Sequence, residues 1–170
     1  MKHIIKKKNG FSLMELLLVL GIIAALIVSA FLIYPKAQSS QRATEETKNI
    51  ATIQAGVKVL YAGLASYEGL DNTAALGAKI FPQIMLSGTG TSATVLNSFK
   101  GSVTLAPADT GPSGAAGSSF TITYTGVPNN ECTKIITAIA ESIYSASVGS
   151  TIVKAAGGDL NIVNAANACS

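Results

Sequence analysis

Three features of this 170-residue sequence predict an α+β fold, with one long N-terminal helix packed on an antiparallel sheet. Residues 16–34, LLLVLGIIAALIVSAFLIY, contain no charge. Between residues 50 and 67, Ile50, Ile53, Val57, Leu60, Tyr61, Leu64 and Tyr67 mostly stand three or four apart, the spacing of a helix with one buried stripe. Residues 120–125, FTITYT, alternate large apolar side chains with threonines, the pattern of a strand with one buried face.

The first element is read from charge. The net charge is +3, yet four of the twelve basic residues (Lys2, Lys6, Lys7 and Lys8) stand in the first ten positions with no acid beside them. The other eight face nine acidic residues, so the rest of the chain offers no basic surface for nucleic acid. Lysines flanking a hydrophobic segment hold that end on the cytoplasmic side of a membrane. At about 1.5 Å per residue, the uncharged run reaches roughly 28 Å, close to a hydrocarbon core. It is apolar all round, which argues against an ordinary core helix. Two other readings are a secretory signal cut after Val28-Ser29-Ala30 and a plain uncut anchor. The run exceeds the roughly 7–15 apolar residues of a signal, and Glu15 stands at its edge.

A carboxylate at that depth costs on the order of 2–3 kcal/mol and usually has a partner. If the Gly10–Phe11 peptide bond is cut, Phe11 gains an ammonium. Positions 11 and 15 then lie one helical turn apart on one face, within a chain or between neighbours. The alternative is that Glu15 only reaches interfacial water.

The stretch Lys7-Lys8-Asn9-Gly10-Phe11-Ser12-Leu13-Met14-Glu15, followed by LLLVLG, resembles the N-terminus of a type IV prepilin. The resemblance implies a leader, 1–10, removed by a prepilin peptidase that cuts between Gly10 and Phe11 and N-methylates Phe11. It implies a transmembrane and filament-core helix, 11–34, and a globular domain of pilin fold, 35–170, holding the second half of the long helix. Glu15 would pair with the Phe11 ammonium of an adjacent subunit during assembly. The implied partners are further copies of the chain in a helical homopolymer, the peptidase and assembly machinery, and the inner membrane around the precursor. A host receptor or recipient-cell surface is a further candidate. No cofactor is implied. Phe11 and the ten-residue leader resemble the first pilin subclass. KIFP and a helix inside the cysteine loop resemble type IVb pilins, or the thin-pilus pilins of conjugation.

Pro35 predicts a bend or a local loss of helix. Beyond it, the stripe beginning at Ile50 continues the helix to a total of about 50 residues, and Glu45-Glu46 reads as a solvated face. Residues 74–86 suggest a short helix broken near Pro82, and the Ser-, Gly- and Thr-rich residues 87–119 read as loops with short strands. Residues 102–106 and 120–125 read as strands. Val127-Pro128-Asn129-Asn130 starts a helix carrying Cys132, Ile135, Ile136, Ile139 and Ile143 on one side. Residues 152–155 and 160–163 read as a closing pair of strands about Gly157-Gly158-Asp159.

Cys132 and Cys169 are the only cysteines. Two in an exported domain read as one disulfide, with two free buried thiols as the alternative. The only histidine, His3, falls in the leader, so the mature chain has no imidazole to activate a nucleophile. The glycine-rich SGTGTS lacks a phosphate-loop lysine. The chain is therefore expected to be a structural subunit and not an enzyme: a pilin displayed in an extracellular filament for adhesion, DNA transfer or motility. The alternatives are a pseudopilin of a type II secretion system and an exported binding protein with an ordinary signal peptide.

Overall fold

The computed structural model describes residues 12–170, and of residues 32–36 the backbone alone. The fold is α+β, as expected. In chain order it comprises α1 (Leu13–Leu60), α2 (Asn72–Gly77), β1 (Leu86–Ser87), β2 (Thr94–Val95), β3 (Val103–Ala108), β4 (Ser119–Tyr124), α3 (Asn129–Ile139), β5 (Ala146–Val148), β6 (Thr151–Lys154) and α4 (Ile162–Ala168). The chain divides into two compact units, Met1–Gln38 and Ser39–Ser170, and α1 contributes to both.

Helix α1 runs for 48 residues, and its assignment is unbroken through Pro35, where the sequence suggests a bend or a loss of helix. Proline removes one i→i−4 bond. Propagation on either side sustains the helix once it is nucleated. Within the second unit, Ile53 and Val57 of α1 are fully buried against Leu70, Ala75, Phe81, Met85, Val103 and Leu105. A second cluster joins Ala43 and Ile50 of α1 to Ile135 of α3. The predicted stripe is fully buried as far as Val57, and Tyr61 and Tyr67 pack partly buried against the same core. Leu60, the last residue of α1, is exposed, and so is Leu64, which lies past the end of the helix where helical spacing no longer decides which side chain faces inward.

Helix α2 starts at Asp71, whose side chain accepts from the Ala74 amide at 2.7 Å. It ends in a Schellman turn. The Lys79 amide donates to the Leu76 carbonyl at 3.1 Å, and the Ile80 amide donates to the Ala75 carbonyl at 3.0 Å. Lys79 takes the left-handed conformation this turn needs, at φ 56°. The turn drives Ile80 onto α1 at Gly56, where a Cβ would stand 2.7 Å from Ile80 Cγ2. After Pro82 comes a single 3₁₀ turn, Gln83–Met85.

The antiparallel layer is divided into three two-stranded pairs, β1–β2, β3–β4 and β5–β6. The longest pairs Val103 with Tyr124 through to Ala108 with Ser119. The outer edge of β3 is occupied by a side chain. Asn72 Nδ2 donates to the Val103 carbonyl and Asn72 Oδ1 accepts from the Leu105 amide, both at 2.8 Å. Farther along, Pro107 has no amide to offer.

Two C-terminal expectations are corrected. Helix α3 stops at Ile139, and Ile143 is extended, at φ −116° and ψ 147°. The Ser142 hydroxyl bonds the Ile139 carbonyl at 2.8 Å, a local alternative to another helical turn. Residues 160–163 are not a strand: Leu160 makes one bridge to Lys154, and α4 begins at Ile162. The Asn161 side chain accepts from the Asn164 amide at 2.9 Å, and this cap outweighs the strand preference of Ile162-Val163.

Candidate assembly site

In the first unit, Leu13–Phe31 has a mean hydropathy of 2.6, and none of it is buried within the chain. Its one hydroxyl is satisfied locally, since Ser29 Oγ donates to the Ala25 carbonyl at 2.8 Å. Glu15 lies in the first turn and is exposed. The Ser12 carbonyl accepts from the Glu15 and Leu16 amides at 3.0 and 3.1 Å. Ser12-Leu13-Met14-Glu15 therefore also has the spacing of a capping box, and an acid there suits the positive end of the helix. That S-x-x-E spacing was present in the sequence. Gly10 and Phe11, the expected cleavage and methylation positions, lie outside the described residues, and with them the Phe11 partner of Glu15.

In the second unit the expected solvated face fails at one residue. Glu46 is 0% exposed, and its Oε1 accepts from the Ser98 amide at 2.6 Å. The signal was present, because positions 46, 50, 53 and 57 share one helical spacing. Glu46 Oε2 and the Tyr124 hydroxyl are also closed to solvent, and neither has a hydrogen-bond partner among the described residues. Burial first, and then the Glu46 carboxylate, pushes the Tyr124 hydroxyl well above the ordinary phenol range. The turn that meets Glu46 is itself rigid. Asn97 Oδ1 accepts from the Phe99 and Gly101 amides at 2.9 Å, and Asn97 Nδ2 donates to the Thr125 carbonyl at 2.7 Å. Gly101 is required there, since a Cβ would collide with that same carbonyl.

Cys132 and Cys169 form a disulfide with their Cα atoms 5.7 Å apart, as expected. It ties α3 to the end of α4. Lys134 on the same helix donates from Nζ to Ser39 Oγ of α1 at 3.0 Å. Among the described residues there is no group of three or more His, Cys, Asp or Glu placed to hold a metal ion.

Among the described residues, one exposed apolar helix, preceded in sequence by a lysine-rich stretch and followed by a unit closed by a disulfide, has the arrangement of the type IV pilin class. The chain belongs to the family described as PilS N terminal, whose model matches residues 40–170. A second model, the prokaryotic N-terminal methylation motif, matches residues 5–31. The chain is 28% identical over 104 residues to the "Major structural subunit of bundle-forming pilus" of Escherichia coli O127:H6, and equally to that of Escherichia coli O111:H-. The match covers 61% of this chain and 53% of each relative, so the chain spans about half the length of the curated relatives it matches. No solved structure matches. The family is one of pilus subunits and not of enzymes.

Proposed function

We propose that this chain is a structural subunit of a type IV pilus, of the IVb or conjugative thin-pilus kind. It is cut between Gly10 and Phe11, N-methylated at Phe11, held in the inner membrane with its N-terminus cytoplasmic, and then polymerised through residues 11–34 into an extracellular filament. The observation that carries this reading is an unburied apolar helix, Leu13–Phe31, with an acid in its first turn, inside a matched methylation motif.

Magnitudes divide the labour. About a dozen Leu, Ile, Val and Phe residues in Leu13–Phe31 each favour insertion by some 0.3–0.6 kcal/mol, against roughly 3 kcal/mol for one acid near the centre. The apolar run therefore decides that the helix inserts, and Glu15 does not. On assembly, neighbouring helices replace lipid as the nonaqueous surroundings. What Glu15 decides is axial stagger, because only one register brings the Phe11 ammonium of a neighbour to it. Adhesion, DNA transfer or motility would then be served by the filament surface. A deletion strain scored for each behaviour distinguishes them.

Mass spectrometry of the mature chain is expected to find N-methylated Phe11 as the first residue. Glu15→Val is expected to remain membrane-inserted and cleaved while surface filaments, counted by electron microscopy, fall at least about tenfold, the equivalent of some 1.4 kcal/mol. An N-terminus at Phe31, or wild-type filament numbers in the variant, would overturn the proposal.

A further inference from the structure

The two longest strands, β3 and β4, differ at their outer edges. The Thr125 amide donates to the Ser102 carbonyl at 3.0 Å, which makes that position a hydrogen-bonded one. Antiparallel ladders alternate. The pairs Val103 with Tyr124, Leu105 with Ile122, and Pro107 with Phe120 therefore turn their backbone polar groups outward. On β3 that outer edge is closed. Asn72 takes the Val103 carbonyl and the Leu105 amide, and Pro107 has no amide. On β4 it is open. The N–H and C=O groups of Phe120, Ile122 and Tyr124 have no hydrogen-bond partner among the described residues. Thr121 and Thr123, which stand between them, are exposed. The strand carries no charge and no proline, and its register shows no bulge, so none of these three guards protects its edge.

A bare ladder of this kind is matched by another extended strand, whose donors and acceptors repeat at the same spacing. The sequence of β4 says which strand. By class of side chain, Phe120-Thr121-Ile122-Thr123-Tyr124 reads alike in both directions about Ile122. We infer that β4 pairs edge to edge with β4 of a second copy of this chain, antiparallel, about a two-fold axis at Ile122. Each Ile122 then faces the other, each Phe120 faces a Tyr124, and each Thr121 faces a Thr123. Aromatic pairs and threonine pairs are favourable across strands. A slip of one residue would set threonine against aromatic and turn an exposed face against an inward one. Two identical strands without charge also meet without repulsion. This inference rests on the pilus reading and adds a contact of different symmetry. Subunits along one filament repeat by a single rotation and rise, whereas a two-fold contact closes as a pair. The β4 edge therefore joins one filament to another, side by side, and leaves filament length to the apolar helix.

The test is made on filaments of the full chain. Thr121→Lys with Thr123→Lys is expected to leave filament yield unchanged while the share of filaments lying side by side, counted by electron microscopy, falls about tenfold. Thr121→Glu with Thr123→Glu is expected to do the same, and mixing the two kinds of filament to restore side-by-side association through opposite charges. A second measurement fixes the register. Filaments carrying Thr121→Cys, mixed with filaments carrying Thr123→Cys and oxidised, are expected to give a covalent dimer without reductant and no larger product. At this non-hydrogen-bonded position the two Cα atoms would stand about 4.5 Å apart. Either variant alone is expected to give none, because like positions would stand roughly 8 Å apart. The native cysteines do not interfere, since both are held in the one disulfide. Wild-type filaments that always run singly, lysine variants that still associate, a dimer from either cysteine variant alone, no dimer from the mixture, or a product containing another protein would each overturn the contact and leave the pilus reading standing. Absence of filaments from the wild-type chain overturns both.

Discussion

Tyr124 carries its hydroxyl into a site closed to solvent beside the Glu46 carboxylate. Both effects favour the neutral phenol, so the folded state holds that proton more tightly than the unfolded chain does. Below the ordinary phenol range, near pH 10, the contribution is complete. Above it the unfolded chain releases its proton while the folded one keeps it, and stability falls as pH rises, by at most about 1.4 kcal/mol per pH unit. Urea midpoints followed from pH 8 to 11 are expected to drop for the wild type, and the drop should be smaller in Tyr124→Phe. At neutral pH that variant should lie within about 1 kcal/mol of wild type or above it, because it removes a buried hydroxyl that has no partner. An unchanged alkaline profile in Tyr124→Phe would remove Tyr124 as its source. The buried Glu46 was legible from its place on the Ile50, Ile53, Val57 stripe. Its meeting with Ser98 and Tyr124 was not, because 52 residues separate Glu46 from Ser98 and no local pattern encodes that approach.

The elements divide by how local their causes are. The second half of helix α1 and strand β4 were readable because each turns one side inward at a regular period, and regular periods survive in sequence. The fate of residues 160–163 was hidden because two β-branched residues speak for a strand while one preceding asparagine speaks for a helix start, and the cap won. Helix α2 gives a prediction of the same kind. Its Schellman turn places Lys79 at φ 56°, a conformation that favours glycine over any residue with a Cβ. Lys79→Gly is therefore expected to raise stability by up to about 1 kcal/mol, or leave it level where the freer unfolded chain cancels the gain. A loss larger than that in thermal unfolding would mean the lysine side chain contributes something else. The disulfide joins elements 37 residues apart, and Cys169→Ser is expected to cost about 4 kcal/mol by the loop-entropy relation. The same loss should follow from Cys132→Ser, with no further loss in the double variant, since one bond is removed in all three.

At the scale of the whole molecule, the two units require different surroundings. Every residue of the two buried clusters lies between Ala43 and Ile135, and the disulfide closes the C-terminal part of the same unit. None of Leu13–Phe31 contributes to either cluster. If burial is what specifies the globular fold, then Ser39–Ser170 contains all the information that fold needs. Expressed alone in an oxidising compartment, it is expected to remain in solution, to unfold in one cooperative transition, and to protect the amides of Ile50, Ile53 and Val57 from hydrogen exchange more strongly than those near Leu60. The full chain should instead partition with membranes or detergent, driven by the same apolar run that the isolated unit lacks. A Ser39–Ser170 chain with native-like helix content but no cooperative transition would show that the membrane half of α1 takes part in specifying the globular fold. The sequence-level division at the apolar run would then mark a change of solvent and not a boundary between independent folding units.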